Sequence, residues 1–284
     1  MGSKNIVVAP CGNKSHLFHD AWLKDKAQRN FDICLLFYHE NIDNPDKYKE
    51  VDFFYHLRDF KYHMLYELFT KIHPEWLEQY DYFYFLDDDI YIETKEINQM
   101  FLLSQSMGSW ISQASLTNDS FCSWPMFKQK KNSFCRFVGQ IEVMAPLFNS
   151  DSLRKCLPSF IGNKSSWGVD SVWSKILDYP QNKLIVFDIV TMRHTLPVGG
   201  GELYQKIKTP HEEWEKITKA FGARKHNYQE YGRLQLVNSG NNRINFFIYK
   251  SGEFFNKIKQ SWNDYDLMSR VNSRLGKLFG KKAL

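Results

Sequence analysis

The 284-residue chain is poor in features that would mark an exported, membrane-spanning or polyanion-binding protein. Its five cysteines, Cys11, Cys34, Cys122, Cys135 and Cys156, form no Cys-x-x-Cys pair and are odd in number. That excludes a regular disulfide framework and predicts reduced thiols in the cytosol. No apolar run approaches the roughly 20 residues that a membrane-spanning helix needs. Met1-Gly2-Ser3-Lys4-Asn5 leads straight into a strand, without an apolar stretch of signal-peptide length. These absences predict a protein of the cytoplasm or of the inner face of the cytoplasmic membrane. Basic excess is scarce too. The net charge is +5, and the stretch from Ser269 to Leu284 supplies Arg270, Arg274, Lys277, Lys281 and Lys282 with no acid. The remainder is nearly neutral, which argues against a nucleic-acid binder. There is no internal repeat and no low-complexity linker.

What is present suits a layered α/β protein with an ample core: 43% hydrophobic, 24% charged and 16% aromatic residues. Apolar runs at 4–9, 31–38, 51–57 and 82–86 read as strands, with a helix between the first two and another over 61–72. This alternation predicts a parallel sheet flanked by helices. Thr94 is read as the cap of a helix whose apolar face is Ile97, Met100, Phe101, Leu103 and Met107. Strands are expected over 110–116, 136–148 and 184–194, and a polar loop with the basic run Lys128-Gln129-Lys130-Lys131 over 118–132. Ser165-Ser166-Trp167-Gly168 opens a helix with a core stripe of Val169, Val172, Trp173, Ile176 and Leu177. Asp170 lies in its first turn, off that stripe. Thr209-Pro210-His211-Glu212 reads as a capping box and Gly222 as a helix stop.

The most informative feature is Asp87-Asp88-Asp89 at the end of the aromatic run Tyr82-Phe83-Tyr84-Phe85. Consecutive carboxylates at a buried strand end repel one another, and a divalent cation relieves that repulsion. Oxygen ligands suit Mg²⁺ or Mn²⁺, which usually share a site with substrate phosphates. A strand's carboxyl end is also where open α/β sheets bind ligands. The residues point to a metal–diphosphate site.

The layout resembles the GT-A class of nucleotide-sugar glycosyltransferases, in which a strand ends in an Asp-x-Asp motif. More narrowly, Phe85-Leu86-Asp87-Asp88-Asp89-Ile90, the segment Val138-Gly139-Gln140-Ile141-Glu142-Val143-Met144-Ala145-Pro146, and Trp167-Gly168-Val169-Asp170 are similar to a family of bacteria and plants, the domain of unknown function 707. The resemblance spans about 5–201 and is densest over 82–195. It implies a GT-A-like, Rossmann-like mixed, mainly parallel sheet flanked by helices over 1–250, followed by a C-terminal tail over 251–284. It implies a metal-dependent glycosyltransferase of surface-polysaccharide assembly, taking a UDP-linked or other nucleoside-diphosphate sugar and a glycan acceptor. Asp89, Asp87 and His194 would be metal ligands, with Asp87 in the outer role, and Asp88, Lys61 and Pro10 would bind the donor. Imidazole favours Mn²⁺ over Mg²⁺.

Asp170 is the candidate base of an inverting transfer, and Glu142 an acceptor ligand or rival base. Lys61 and Arg136 are read as structural first, with contact to base or phosphates as the alternative, and Lys206 and Lys208 as phosphate contacts. Gly199-Gly200-Gly201 is a turn or a lid hinge. The tail's Leu267, Met268, Val271, Leu275, Leu278 and Phe279 fall at helical spacing beside the cations. That is a pattern for an anionic membrane carrying a lipid-linked acceptor, or for a packed helix. Two other classes remain: a non-catalytic carbohydrate or nucleotide binder, and a nucleotidyltransferase. The latter expects a Gly- and basic-rich loop after the first strand, which Pro10-Cys11-Gly12-Asn13 matches poorly.

Overall fold

The uncharged run Ile6-Val7-Val8-Ala9 has no polar face to offer water, and it becomes β1 (Asn5–Cys11), buried along its whole length. The structure, a computed structural model, describes residues 4–202, 209–239 and 243–249. β2 (Asp32–Phe37), β3 (Phe53–His56) and β4 (Tyr82–Phe85) join β1 in parallel, in the order β3-β2-β1-β4. The sheet continues through β8 (Leu147–Asn149), β6 (Ile111–Leu116), β9 (Leu184–His194), β7 (Ser133–Val138), β10 (Glu230–Ser239) and β11 (Arg243–Tyr249). In that half only β6 and β9 are parallel, so the sheet is mixed. The two-residue β5 (Ile90–Tyr91) pairs antiparallel with the end of β9.

Helices α1 (Lys61–Glu67), α2 (Trp76–Gln79), α3 (Thr94–Met107), α4 (Ser150–Cys156), α5 (Val169–Ile176) and α6 (Pro210–Phe221) flank the sheet. One continuous core runs from Ile6 to Leu234, with Trp22, Trp173 and many phenylalanines fully buried. No described helix is long and apolar enough to cross a membrane. The basic tail and Lys206 and Lys208 lie outside the described residues.

Several local expectations are corrected. The link from β1 to β2 holds a five-residue π-helical turn (Phe18–Trp22) and a 3-10 turn (Lys26–Gln28) in place of a longer α-helix, and side chains pin it to the rest of the fold. There the Trp22 indole donates to the Ile90 carbonyl at 2.8 Å. Thr94 is not a cap. Its hydroxyl donates to the Trp22 carbonyl at 2.8 Å and accepts from the Asp25 amide at 3.0 Å, tying this link to α3. Thr209 precedes α6 but makes no side-chain capping bond, and it is Gly222, left-handed at φ 61°, that closes the helix.

The single strand expected over 136–148 is two strands, β7 and β8, with an irregular crossing between them. Gly139 starts the crossing where a Cβ would lie 2.3 Å from the Asn227 carbonyl oxygen, so only glycine fits. This break delivers Glu142 to the end of the sheet.

Arg136 does not reach a ligand. It is fully buried on β7, its Nε and Nη2 forked onto Asp188 of β9 at 2.8 and 2.9 Å. Its remaining donors hold the carbonyls of Met126 and Lys128. Part of the basic run is spent in the same place: the Lys130 amide donates to Asp188 at 3.1 Å and its ammonium pairs with Glu230 at 2.6 Å. A buried pair broken on one side leaves an uncompensated charge, at about 3–5 kcal/mol. Asp188→Asn is therefore expected to lower the unfolding free energy by that order in urea denaturation, and Arg136→Met/Asp188→Leu by much less. Equal losses in the two variants would contradict this account.

Candidate active site

β4 ends where Leu86 donates its amide to Val8 and Asp87 donates to the Met144 carbonyl at 2.9 Å. The chain then turns, with the Ile90 amide on the Asp87 carbonyl at 3.1 Å, so the three acids fan out in different directions. Each meets its own partner. Asp87 pairs with Lys61 at 2.7 Å, and the same ammonium donates to the carbonyls of Val143 and Met144 at 2.9 and 3.0 Å. Burial raises the Asp87 carboxyl, against the lowering pull of Lys61, and burial likewise lowers the lysine. Lys61 thus anchors the 139–146 crossing as well as Asp87.

Asp88 turns towards β1. Ser15 and Tyr38 donate their hydroxyls to it, the latter at 3.2 Å, and Pro10 lines the same corner. Burial, with the neighbouring acids adding to it, pushes its carboxyl up to about 7.

Asp89 meets His194, with Oδ2 and Nε2 3.1 Å apart. Register explains the meeting: Ile90 of β5 pairs with His194 of β9, and Thr195 donates its amide and hydroxyl to the Asp89 carbonyl at 3.0 and 2.7 Å. His194 Nδ1 faces the Phe121 carbonyl at 3.1 Å, which leaves Nε2 directed at Asp89. Burial pulls the imidazole down, but the hydrogen bond and charge of Asp89, with Asp87 behind it, outweigh this and hold it at about 9. Asp89 Oδ1 is buried with no partner.

An orphaned carboxylate oxygen beside an imidazole is a fitting donor set for Mn²⁺. Among the described residues no three His, Cys, Asp or Glu side chains gather closely enough to hold a cation by themselves. The residues that fit one are Asp89 and His194, with Asp87 held beside them by Lys61.

Across the cleft, Asp170 sits in the first turn of α5 and is 5% exposed. It accepts from the Ser171 amide at 2.8 Å and faces the Tyr228 hydroxyl at 3.3 Å. Burial raises it to about 6 in spite of those hydrogen bonds. Glu142, 7% exposed, has its amide on Gln113 at 2.9 Å, while its Oε2 has no partner. Burial and the charge of Asp170 push it to about 8. These groups share one cleft of about 430 Å³, a size suited to a small-molecule ligand.

The family described as Protein of unknown function (DUF707) matches residues 1–238. The chain belongs to that family. No curated protein matches it in sequence. Among solved structures, TarS residues 1–349 of S. aureus in complex with UDP-GlcNAc is similar at 12% identity and a TM-score of 0.50, over 77% of this chain and 65% of that one. S. aureus TarS itself aligns at 12% identity over 77% of this chain and 39% of its own, with a TM-score of 0.47. A protein of Desulfovibrio desulfuricans G20, assigned as a nucleotide-diphospho-sugar transferase, aligns at 11% identity over 78% of this chain and 97% of its own, with a TM-score of 0.43. The first likeness shows the fold, the α/β architecture of a chain that holds a nucleotide sugar. This chain spans less than two thirds of the TarS fragment.

The DUF707 cleft also contains residues that no sequence signal marked. Trp124, Trp214 and Tyr228 come from the loop before β7, from α6 and from the approach to β10, and they meet Trp167 only in the fold. A tryptophan in the polar stretch Ser123-Trp124-Pro125 was the one available hint. Glu202, just past the glycine triplet, binds Lys14 at 2.5 Å and His39 at 2.6 Å, tying that loop across to the β1 and β2 side.

Glu142 supplies a prediction on stability. Its carboxyl titrates near 4.5 when unfolded and near 8 when folded, so in that interval the folded DUF707 protein holds the extra proton and loses stability as pH rises. Glu142→Gln removes this contribution. Relative to the parent, the variant is expected to gain about 1.4 kcal/mol per pH unit across the interval. Urea denaturation at several pH values reads this directly, and parallel stability curves for the two proteins would refute it.

Proposed function

We propose that this DUF707 protein is a metal-dependent glycosyltransferase that moves a sugar from a nucleoside-diphosphate donor, UDP-linked, to a growing surface glycan. The observation that carries the reading is the unpartnered Asp89 oxygen beside His194 in a cleft that Asp170 also faces. Bound there, Mn²⁺ or Mg²⁺ would neutralise charge on the leaving diphosphate as a Lewis acid. Asp89 and His194 would hold the cation, and Asp87, steadied by Lys61, would act from the outer position. Asp88, Tyr38 and Pro10 form the wall on the nucleoside side. The likeness to a UDP-GlcNAc complex supports a UDP donor.

The two buried carboxylates divide the proton chemistry between them. A general base must be ionised at working pH, and Asp170 at about 6 meets that condition where Glu142 at about 8 does not. We therefore assign Asp170 to take the acceptor hydroxyl proton in an inverting transfer. The basic tail, outside the described residues, is read as the contact to a membrane bearing a lipid-linked acceptor.

The test is calorimetric titration of UDP with Mn²⁺ and then with EDTA, followed by transfer assays with UDP-sugars. Binding is expected only with the metal. Asp89→Asn is expected to abolish it while leaving the fold nearly intact, and normal activity in that variant would remove the proposed site. Asp170→Asn is expected to keep metal-dependent UDP binding and lose transfer, while the parent's rate rises with pH through about 6. Loss of UDP binding in Asp170→Asn would make that residue structural.

A further inference from the structure

The groups proposed for the nucleoside end lie at one side of the cleft, with the Asp89–His194 pair between them and a second, aromatic side. Pro10 and Tyr38 belong to β1 and to the end of β2, whereas Trp124, Trp167, Trp214 and Tyr228 gather near β7, α5 and α6, on the other side of β4 in the sheet order. Trp124 stacks on Tyr228 with ring centres 4.1 Å apart and 27° between planes, and meets Trp214 edge-on at 6.3 Å. Trp214 meets Trp167 edge-on at 5.9 Å. The wall is built, not incidental. Gly168 has a left-handed φ of 83°, and a Cβ there would lie 2.2 Å from the Trp214 ring, so the glycine both opens α5 and seats the indole. Glu213, the neighbour of Trp214, accepts from the amides of Lys164 and Ser165 at 3.1 and 2.8 Å and clamps the loop that carries Trp167.

On this side of the cleft, two lining residues each carry a buried polar atom without a partner: Trp214 Nε1 and Glu142 Oε2. Unpaired buried polar atoms call for a ligand that supplies the missing hydrogen bonds. A pyranose does so while laying its C–H faces on aromatic rings, because each ring face of the sugar is apolar and its rim carries hydroxyls. We propose that Trp124, Trp167 and Trp214, with Glu142, form the acceptor-sugar subsite. It would grip one pyranose of a glycan chain and present a hydroxyl to Asp170. The inference rests on the glycosyltransferase reading, and it names the acceptor as a saccharide recognised by stacking. Burial and the charge of Asp170 raise the Glu142 carboxyl, which favours its protonated form and suits its bare oxygen to hydrogen-bond a sugar hydroxyl.

The experiment is a titration of the full chain with maltotriose, cellotriose, chitotriose and xylotriose, read by tryptophan fluorescence and saturation-transfer NMR. Each is run with and without UDP and Mn²⁺. At least one trisaccharide is expected to bind, with saturation transfer concentrated on a single ring. Trp124→Ala and, separately, Trp167→Ala are expected to weaken that binding by about tenfold or more, the scale of one lost aromatic contact. Both are expected to retain metal-dependent UDP binding, which also certifies that they fold. Trisaccharide binding without UDP binding would fail the donor assignment and leave the subsite standing. UDP binding with no trisaccharide bound under either condition would overturn the subsite alone. Loss of UDP binding in a folded Trp124→Ala protein would mean that the wall stacks the nucleoside base, and would overturn it too.

Discussion

The constraint on which this molecule turns is the crowding of Asp87, Asp88 and Asp89 at the end of one short strand. Like charges at such spacing in a desolvated cleft cannot all be stable without compensation, and the fold supplies it from three directions. Lys61 arrives from the start of α1, Ser15 and Tyr38 from the loops beyond β1 and β2, and His194 from the end of β9. Each compensating group is itself held by backbone: Lys61 by two carbonyls, His194 by the carbonyl of Phe121 and by the pairing of β5 with β9. The acids thus organise the carboxyl end of the sheet, because the elements around them are placed where they can answer those charges.

The compensation is incomplete, and its gaps are informative. Asp89 Oδ1, Glu142 Oε2 and Trp214 Nε1 are left without partners in a protein whose other cleft groups are well satisfied. Unpartnered buried atoms also occur away from the cleft, on His63, Tyr84, Glu96 and Trp173, but the three that line it are the ones a bound ligand could reach. The bare Asp89 oxygen lies beside an imidazole, the donor set proposed for a cation, whereas Glu142 and Trp214 line the same cleft as the aromatic wall, where sugar hydroxyls would meet them.

Much of this was legible in the chain itself, for a physical reason. The strand that carries the acids, the strand ending in His194 and the helix that opens at Trp167-Gly168 are all encoded by local periodicity, and the structure places each near its expected bounds. What was not legible depends on pairings distant in sequence. Arg136 read as more structural than ligand-binding, and it is, but its partner Asp188 lies on another strand and no local pattern names it. Thr94 and Thr209 carried capping signatures, yet the Thr94 hydroxyl found partners in the link from β1 to β2 and the Thr209 side chain makes no capping bond. The break after Gly139 reflects the close approach of Asn227, which no local pattern announces. The aromatic wall is drawn from separate loops and helices, so no window of sequence contains it.

The separation of Asp170 and Glu142 follows from the same geometry. Both carboxyls are buried in one cleft, and the charge of Asp170 adds to the burial that raises Glu142, so their immediate partners decide which holds its proton more tightly. Asp170 lies at a helix N-terminus and accepts from the Ser171 amide, with the Tyr228 hydroxyl close by, interactions that favour the charged form. Glu142 has its backbone anchored but one carboxyl oxygen bare, and burial pushes its carboxyl up to about 8. Two acids in one desolvated cleft therefore acquire opposite characters, one able to accept a proton and the other to donate a hydrogen bond. A residue-type count could not distinguish them. The assignment of roles comes from which carboxylate oxygens the surrounding backbone reaches.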